Sequence, residues 1–160
     1  MTRSGTGARA ELFFEDIPVG QVFDLGTIDV DRAEMLAFAQ RFDPQWYHVN
    51  EDLAKASHFG DIIASGFFTG SLFMRAYADA VLSRAAANAS PGMEELRWLA
   101  PVYGGDRLTG RLEVLGAEPS KTRPGYGTLH LRATLTRHGG DGKDVMRATF
   151  RGWFAQRDPA

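Results

Sequence analysis

The longest apolar pattern in the chain is Gly66-Phe67-Phe68-Thr69-Gly70-Ser71-Leu72-Phe73-Met74-Arg75-Ala76-Tyr77-Ala78-Asp79-Ala80-Val81-Leu82. Its large apolar side chains recur at helical spacing and cover most of the circumference, which predicts a helix over residues 66–85. The polar side chains fall at intervals of four residues on one narrow stripe, at Ser71, Arg75, Asp79 and Ser83. Because a helix that is apolar on nearly all sides is surrounded by protein, we expect the rest of the chain to wrap around it.

After residue 92 the apolar residues alternate with polar ones, which is typical of β-strands. Strands are predicted at residues 95–99, 107–114, 128–136 and 146–154, and an earlier one at residues 21–28. The segment 138–142 is rich in glycine and predicts a hairpin turn. Antiparallel strands with one apolar face need a partner on that face, and the helix at 66–85 is the available partner. The prediction is an α+β fold in which a curved antiparallel sheet wraps one long helix.

Two shorter helices are predicted before the long one. Residues 32–42 have helical spacing after Asp29 or Asp31, either of which can cap the helix, and Asp43-Pro44 ends it. Residues 50–57 follow the capping residue Asn50. We expect a single domain over residues 11–157, preceded by a mobile tail at residues 1–10 that lacks the apolar segment of a signal peptide.

Composition excludes several classes of function. The chain has 160 residues, a formal net charge of −2 and no long run of basic residues, which argues against nucleic-acid binding. It has no cysteine, so disulfides, thiolate nucleophiles and sulfur-bound metals are excluded, and a reducing compartment, the cytoplasm, is expected. No segment approaches the roughly 20 apolar residues that cross a membrane as a helix.

An acid and an imidazole lie five residues apart in the segment Asp43-Pro44-Gln45-Trp46-Tyr47-His48. If the backbone between them curls, Asp43 and His48 reach one water molecule, and one group accepts a proton as the other delivers one or holds the water. The alternative is structural. An Asp before Pro is often the N-cap of a helix, and His48 is equally consistent with a buried histidine bonded to a carbonyl.

The segment Ala64-Ser65-Gly66 leads into the long helix. Free N–H groups and the positive end of the helix dipole suit a carbonyl oxygen that gains negative charge. Such donors contribute roughly 3–4 kcal/mol to the stabilisation of an oxyanion. The alternative is that Ser65 is an ordinary N-cap and that Gly66 only permits close packing.

Other sites are not indicated. His58, His130 and His138 have no second ligand at metal-binding spacing, so neither a metal nor a cofactor is expected. Ser65 lacks the Gly-x-Ser-x-Gly setting of a hydrolase nucleophile. No glycine-rich dinucleotide motif follows a predicted strand.

Three segments together resemble the MaoC-like hydratase/dehydratase family, which includes the (R)-specific enoyl-CoA hydratases. They are Asp43-Pro44-Gln45-Trp46-Tyr47-His48-Val49-Asn50, then Ile63-Ala64-Ser65-Gly66, and finally Leu96-Arg97-Trp98-Leu99-Ala100-Pro101-Val102-Tyr103-Gly104-Gly105-Asp106. They are similar to the family patterns Asp-x-Asn-Pro-x-His, Ile-Ala-His-Gly and Arg-Phe-x-x-Pro-Val-x-x-Gly-Asp. The likeness covers residues 11–156.

The resemblance implies a hot-dog fold, a homodimer or larger homo-oligomer, and reversible addition of water to the double bond of an acyl thioester, usually on coenzyme A. It implies that Asp43 and His48 are catalytic and that Gly66 donates its N–H to the thioester carbonyl. This chain departs from the family pattern at three positions: Gln45 and Trp46 replace Asn-Pro, and Ser65 replaces His. We expect all three to bear on substrate binding, with Trp46 reshaping the acyl pocket.

Two other hypotheses stay open beside the hydratase. The departures are also consistent with a hot-dog subunit that binds an acyl thioester, or pairs with another chain, without turnover. Hydrolysis of the thioester on the same fold needs an acid on the long helix to activate water. Asp79 is the only acid there, and its position on the polar stripe disfavours that reaction.

Overall fold

The computed structural model describes residues 10–139 and 142–158. Its four α-helices are α1 (Arg32–Phe42), α2 (Trp46–Val49), α3 (Glu51–Ala56) and α4 (Gly66–Ala80). Its five strands are β1 (Val22–Asp29), β2 (Met93–Trp98), β3 (Arg107–Pro119), β4 (Tyr126–Arg137) and β5 (Asp144–Ala155). Nine of the ten residues of the predicted tail, and Gly140 and Asp141 of the predicted turn, lie outside the described residues.

The five strands form one antiparallel sheet in the order β1-β3-β4-β5-β2. Leu112, Ala133 and Ala148 are directly opposite one another across the three central strands. All three are buried, and burial alternates along these strands because successive side chains point to opposite faces. The curved sheet packs against α4, which confirms the predicted α+β architecture.

The face of α4 that packs against the sheet carries Phe68, Phe73 and Tyr77, all buried. Phe73 stacks on Tyr77 with ring centroids 5.7 Å apart, and both rings meet the edge of Phe150 on β5. Large buried aromatic rings of this kind dominate the free energy of a core. The core therefore lies between α4 and the inner face of the sheet.

The long helix is shorter than predicted, since α4 ends at Ala80 rather than at residue 85. The last carbonyl oxygens of the helix accept hydrogen bonds from side chains there: Ser83 donates to the Asp79 carbonyl at 2.8 Å and Arg84 to the Ala80 carbonyl at 3.2 Å. Such side-chain bonds compete with continuation of the helix. A short 3₁₀ turn at Leu82–Arg84 follows.

The expectation that protein surrounds α4 is wrong within a single chain. The side away from the sheet is open, with Phe67 67% exposed and Met74 45% exposed. Apolar periodicity records which residues avoid water, but it does not say whether the same chain covers them. Among the described residues, no helix is long and apolar enough to cross a membrane.

Candidate active site

Asp43 ends α1 rather than beginning the next helix. Its N–H donates to the Ala39 carbonyl at 2.9 Å, and its backbone then leaves the helical region (φ −150°, ψ 66°). The helix α2, which the sequence did not predict, begins at Trp46 with Gln45 as its N-cap. The alternative that Asp43 is an N-cap is therefore wrong, and its carboxylate is available to other groups.

Three side chains converge on the Asp43 carboxylate. Gln45 Nε2 donates to Oδ1 at 2.7 Å, and Ser65 Oγ donates to Oδ2 at 2.7 Å. His48 Nε2 lies 3.3 Å from the same Oδ2. The predicted pair therefore meets directly, since the turn from Asp43 into α2 curls the intervening backbone.

The pKa of Asp43 lies below its ordinary value. The largest cause is the hydrogen bond from Ser65, followed by the bond from Gln45, and the charge of His48 adds a smaller effect in the same direction. Partial burial opposes these effects but does not outweigh them. A carboxylate that accepts several hydrogen bonds is held in its ionised form, so Asp43 is an anion at neutral pH.

His48 is buried, and its other ring nitrogen is committed. Nδ1 lies 2.8 Å from the Ile63 carbonyl oxygen, which only accepts hydrogen bonds. Nδ1 therefore carries a hydrogen, and Nε2 is the ring nitrogen that faces the Asp43 carboxylate. The predicted hydrogen bond between a buried histidine and a backbone carbonyl is therefore present. It orients the imidazole ring and leaves Nε2 facing Asp43, so it does not argue against a catalytic role for His48.

Ser65 occupies the N-cap position of α4, but its side chain makes no capping hydrogen bond. The residue is fully buried, and its hydroxyl donates to Asp43 instead. Gly66 is the first residue of α4, where the N–H groups have no carbonyl of a preceding turn to bond. A Cβ built on Gly66 would lie 2.3 Å from Cε2 of Trp98, so only glycine fits beneath this indole.

A cavity of about 450 Å³ opens beside these groups. Asp43, Gln45, His48 and Gly66 are in its wall. Its deep end is buried and formed by Ala64, Thr69, Val102 and Val145, whereas exposed residues, Phe67, Trp98 and Leu99, form its mouth. Such a volume lies within the roughly 300–1,000 Å³ typical of small-molecule sites.

Two predicted site residues do not line this cavity. Trp46 is 44% exposed and packs its indole against the Tyr47 ring, with centroids 5.1 Å apart. Ser65 reaches the site only through its bond to Asp43. Trp46 therefore lies outside the pocket that it was expected to reshape.

Sequence reasoning assigned no role to several residues of the cavity wall, among them Tyr47 and Trp98. Tyr47 had no role of its own in the sequence pattern, although its hydroxyl donates to Gln45 Oε1. Trp98 stands where the family pattern has Phe, and an aromatic residue next to a glycine-dependent helix start was the available signal. Among the residues that the structure describes, no cluster of three His, Cys, Asp or Glu side chains could hold a metal ion.

A curved antiparallel sheet that wraps one long helix defines a hot-dog protein. Residues 15–135 match the family model described as the MaoC like domain, and the chain belongs to this family. Solved structures that superpose on the chain include hot-dog proteins.

Individual relatives agree with this assignment. The chain is 31% identical over 117 residues to YdeM of Bacillus subtilis (strain 168), an uncharacterised protein, covering 73% of this chain and 83% of YdeM. It is 32% identical over 119 residues to 3-hydroxyacyl-thioester dehydratase Z of Mycobacterium tuberculosis, covering 74% of this chain and 75% of that protein. The crystal structure of a MaoC-like dehydratase from Rhodospirillum rubrum superposes with a TM-score of 0.82 and 34% identity, covering 92% of this chain and 99% of that one. The family and its relatives support hydration or dehydration of a thioester in general terms.

Proposed function

We propose that this protein catalyses the reversible hydration of a 2,3-enoyl thioester to a 3-hydroxyacyl thioester, with coenzyme A as the carrier. The observation that carries the proposal is the approach of His48 Nε2 to within 3.3 Å of Asp43 Oδ2 in the wall of a cavity that also contains Gly66. The name of dehydratase Z, a 3-hydroxyacyl-thioester dehydratase, supports the same substrate class.

In the hydration direction, water lies on the cavity side of the Asp43 carboxylate and His48 Nε2, within hydrogen-bond reach of both. Asp43 orients the water by accepting one of its hydrogens, and Nε2 takes the other proton as the oxygen attacks C3. The π electrons of the C2–C3 bond move towards the thioester carbonyl, whose oxygen gains negative charge. The proton on Nε2 then passes to C2, so one water is added and both side chains return to their starting forms.

Gly66 stabilises the enolate in this scheme by donating its N–H to the thioester oxygen. A preorganised donor of this kind contributes roughly 3–4 kcal/mol when charge develops on the oxygen. The glycine is also required sterically, because the Trp98 indole occupies the space of a side chain. Trp98 and Phe67 then form the mouth through which the carrier leaves the cavity.

The competing hypotheses receive less support. Gln45 and Ser65, two of the departures that suggested a non-catalytic binding subunit, both donate to Asp43 and so support a working carboxylate. The thioesterase hypothesis required Asp79, which lies on α4 outside the cavity and pairs with Arg75 at 2.6 Å. The hydratase is therefore the function that the geometry favours.

A spectrophotometric assay tests the proposal. Purified protein is mixed with crotonyl-CoA and with longer and branched enoyl-CoAs, and the loss of the conjugated thioester absorbance is followed. We expect turnover of at least one substrate, without release of free CoA thiol. Tight binding of acyl-CoA with no turnover across the panel would support the binding subunit instead, and thiol release would support hydrolysis.

A homodimer is part of this proposal. Five exposed apolar side chains lie on α4 or on and just after β2, a strand at the edge of the sheet: Phe67, Met74, Met93, Trp98 and Leu99. An edge strand offers unpaired backbone groups to a second chain, and a contiguous apolar surface marks an interface. Light scattering of the purified protein measures the mass, and a monomer at micromolar concentration would contradict it. The cytoplasmic location stays a prediction from the composition.

A further inference from the structure

Gln45 connects Asp43 to a third polar side chain. Its Nε2 donates to Asp43 Oδ1 at 2.7 Å, and its Oε1 accepts from the Tyr47 hydroxyl. The directions of these bonds follow from chemistry. An ionised carboxylate only accepts, so the amide must present its nitrogen to Asp43, which leaves its oxygen for the hydroxyl of Tyr47. The three side chains therefore form a directed chain of hydrogen bonds that ends on the carboxylate.

Tyr47 is the rigid end of this series of hydrogen bonds. Its ring packs against three others, with centroid distances of 5.1 Å to Trp46, 4.4 Å to His48 and 5.7 Å to Phe59. Its carbonyl also accepts from the Ile63 N–H at 3.1 Å, which joins α2 to the segment that bonds His48. The hydroxyl is thus held in one place by contacts that do not involve Gln45.

Gln45, in contrast, is exposed and has a long side chain. A glutamine side chain loses much conformational entropy when it is held in one rotamer, and water competes for its amide. A single bond to Asp43 would leave the amide free to rotate or to turn its oxygen towards the carboxylate. The bond from Tyr47 removes that freedom, because it is satisfied only when Oε1 points away from Asp43.

We propose that Tyr47, acting through Gln45, is a positioning residue that holds the Asp43 carboxylate in its working orientation. This inference rests on the proposed hydratase function. It involves one of the positions at which this chain departs from the family pattern: Gln45 stands where the pattern has Asn, and Tyr47, two residues further on, supplies the aromatic anchor. The carboxylate keeps one oxygen on the Gln45 amide, while the other faces Ser65 and His48.

The titration of the Asp43 carboxyl reports on this arrangement. Among the described residues, His48 on α2 is the one charged or titratable group that acts on Asp43; the groups that face it from the start of α4 and from the turn are the neutral Ser65 and Gln45. The bond from Gln45 is the second largest cause that lowers the pKa of Asp43. Losing or loosening that bond raises the pKa of Asp43, so its carboxyl is protonated at a higher pH than in the wild type.

The test compares Tyr47→Phe with Tyr103→Phe. Tyr103 is a matched control, because its hydroxyl donates to the Phe59 carbonyl at 2.9 Å in the same region and makes no bond to the site. The readouts are kcat and KM for hydration of crotonyl-CoA, or of the best enoyl-CoA found, and the acid titration of the Asp43 carboxyl carbon followed by NMR. For Tyr47→Phe we expect a lower kcat, a little-changed KM and titration of Asp43 at a higher pH. We expect no movement for Tyr103→Phe.

A double-mutant cycle separates positioning from general loosening of the fold. Gln45→Met keeps the length of the side chain and removes both hydrogen bonds, and we expect it to move the titration of Asp43 to a higher pH by more than Tyr47→Phe does. In that background Tyr47→Phe should add nothing, because its effect passes through Gln45. If Gln45→Met does not fold, Gln45→Leu serves in its place, since it also removes both hydrogen bonds.

Two results would overturn the inference: an unchanged titration of Asp43 in Tyr47→Phe, or a Tyr47→Phe effect of equal size with and without Gln45. Both differ from a failure of the proposed function, in which the wild type hydrates no enoyl thioester at all. A titration of Asp43 that moves equally in Tyr103→Phe would also overturn it, because it would assign the change to general loosening.

Discussion

Two carboxylates lie beside the two ends of α4, and their surroundings differ. Asp43, 21% exposed, is next to the first turn and is held by the neutral donors Ser65 and Gln45. Asp79, 62% exposed, is in the last turns and forms an ion pair with Arg75 on the surface of the helix. The solvated guanidinium of Arg75 offsets the charge of Asp79, and we assign no catalytic role to this carboxylate. Exposed ion pairs of this kind contribute only about 0.3–0.5 kcal/mol to stability.

The two surroundings differ in charge. Neutral donors keep Asp43 ionised but do not cancel its charge, as the proposed orientation of water by this carboxylate requires. Its position beside the N-terminus of α4 also places it near the N–H of Gly66, where the substrate oxygen is expected. The same residue type at the other end of the helix has neither property.

The largest expected effect is on catalysis. Asp43→Asn keeps the shape of the side chain but removes the charge and replaces one acceptor with a donor, which conflicts with the donor groups of Ser65 and Gln45. We expect kcat/KM for enoyl-CoA hydration to fall about 100–10,000-fold. The matched change at the other end, Asp79→Asn, should leave it unchanged. The kcat/KM of both variants is measured by steady-state kinetics. Wild-type activity in Asp43→Asn would show that Asp43 is not part of the mechanism.

A second comparison uses two glycines one turn apart on α4. An added Cβ at Gly66 would lie 2.3 Å from the Trp98 indole, whereas at Gly70 it would lie 3.6 Å away, an ordinary contact. We expect Gly66→Ala to lower the free energy of unfolding by about 1–3 kcal/mol through overpacking. Gly70→Ala should be neutral or stabilising by up to about 1 kcal/mol, since alanine favours the helix.

Urea unfolding of the two glycine variants measures this difference. A third protein, Gly66→Ala with Trp98→Ala, provides the control, because removal of the indole should relieve the overlap. Equal stability of Gly66→Ala and Gly70→Ala would show that the indole does not restrict the start of α4.

The smallest expected effect concerns Ser65, which lowers the pKa of Asp43 more than any other group does. A lowered pKa in the folded state stabilises the protein above the ordinary Asp pKa of about 3.9, and this contribution is lost as the pH falls through the folded value. Ser65→Ala should therefore cost about 1.5 kcal/mol at neutral pH and progressively less below pH ~4.

Thermal or urea unfolding of Ser65→Ala and wild type at neutral and acid pH gives this dependence. The acid titration of the Asp43 carboxyl carbon, followed by NMR, should also move to higher pH. Ser71→Ala is the matched control, because Ser71 donates to the Phe67 carbonyl on the exposed side of the same helix. A stability difference that does not change with pH would show that Ser65 acts on something other than the charge of Asp43.

Local patterns predicted most of the architecture. The alternation of apolar and polar residues located β3, β4 and β5, although each observed strand is longer than predicted. Capping residues located the starts of α1 and α3, since Asp31 accepts from the Glu34 N–H and Asn50 from the Leu53 N–H. The four residues of α2 were missed because one turn is too short to display a period. The end of α4 was missed because the side chains that close it lie beyond the apolar pattern.

The site was predicted as residues but not as contacts. Asp43 and His48 were named from their spacing and from the family resemblance, and the structure brings them together. Trp46 was expected in the pocket and lies outside it, because α2 turns its indole towards the surface. The catalytic roles of Asp43 and His48 stay a prediction until the variants are assayed.

What this sequence encodes locally is therefore the helix that the sheet must cover, the alternation that builds the sheet, and the spacing of the acid and the imidazole between the end of α1 and α2. What depends on tertiary structure is how those groups are arranged. Ser65 reaches Asp43 across 22 residues, Ile63 orients His48 across 15, and the indole of Trp98 lies against Gly66 from a different element. No periodicity records such contacts, because they exist only once β2, α2 and the start of α4 have packed together.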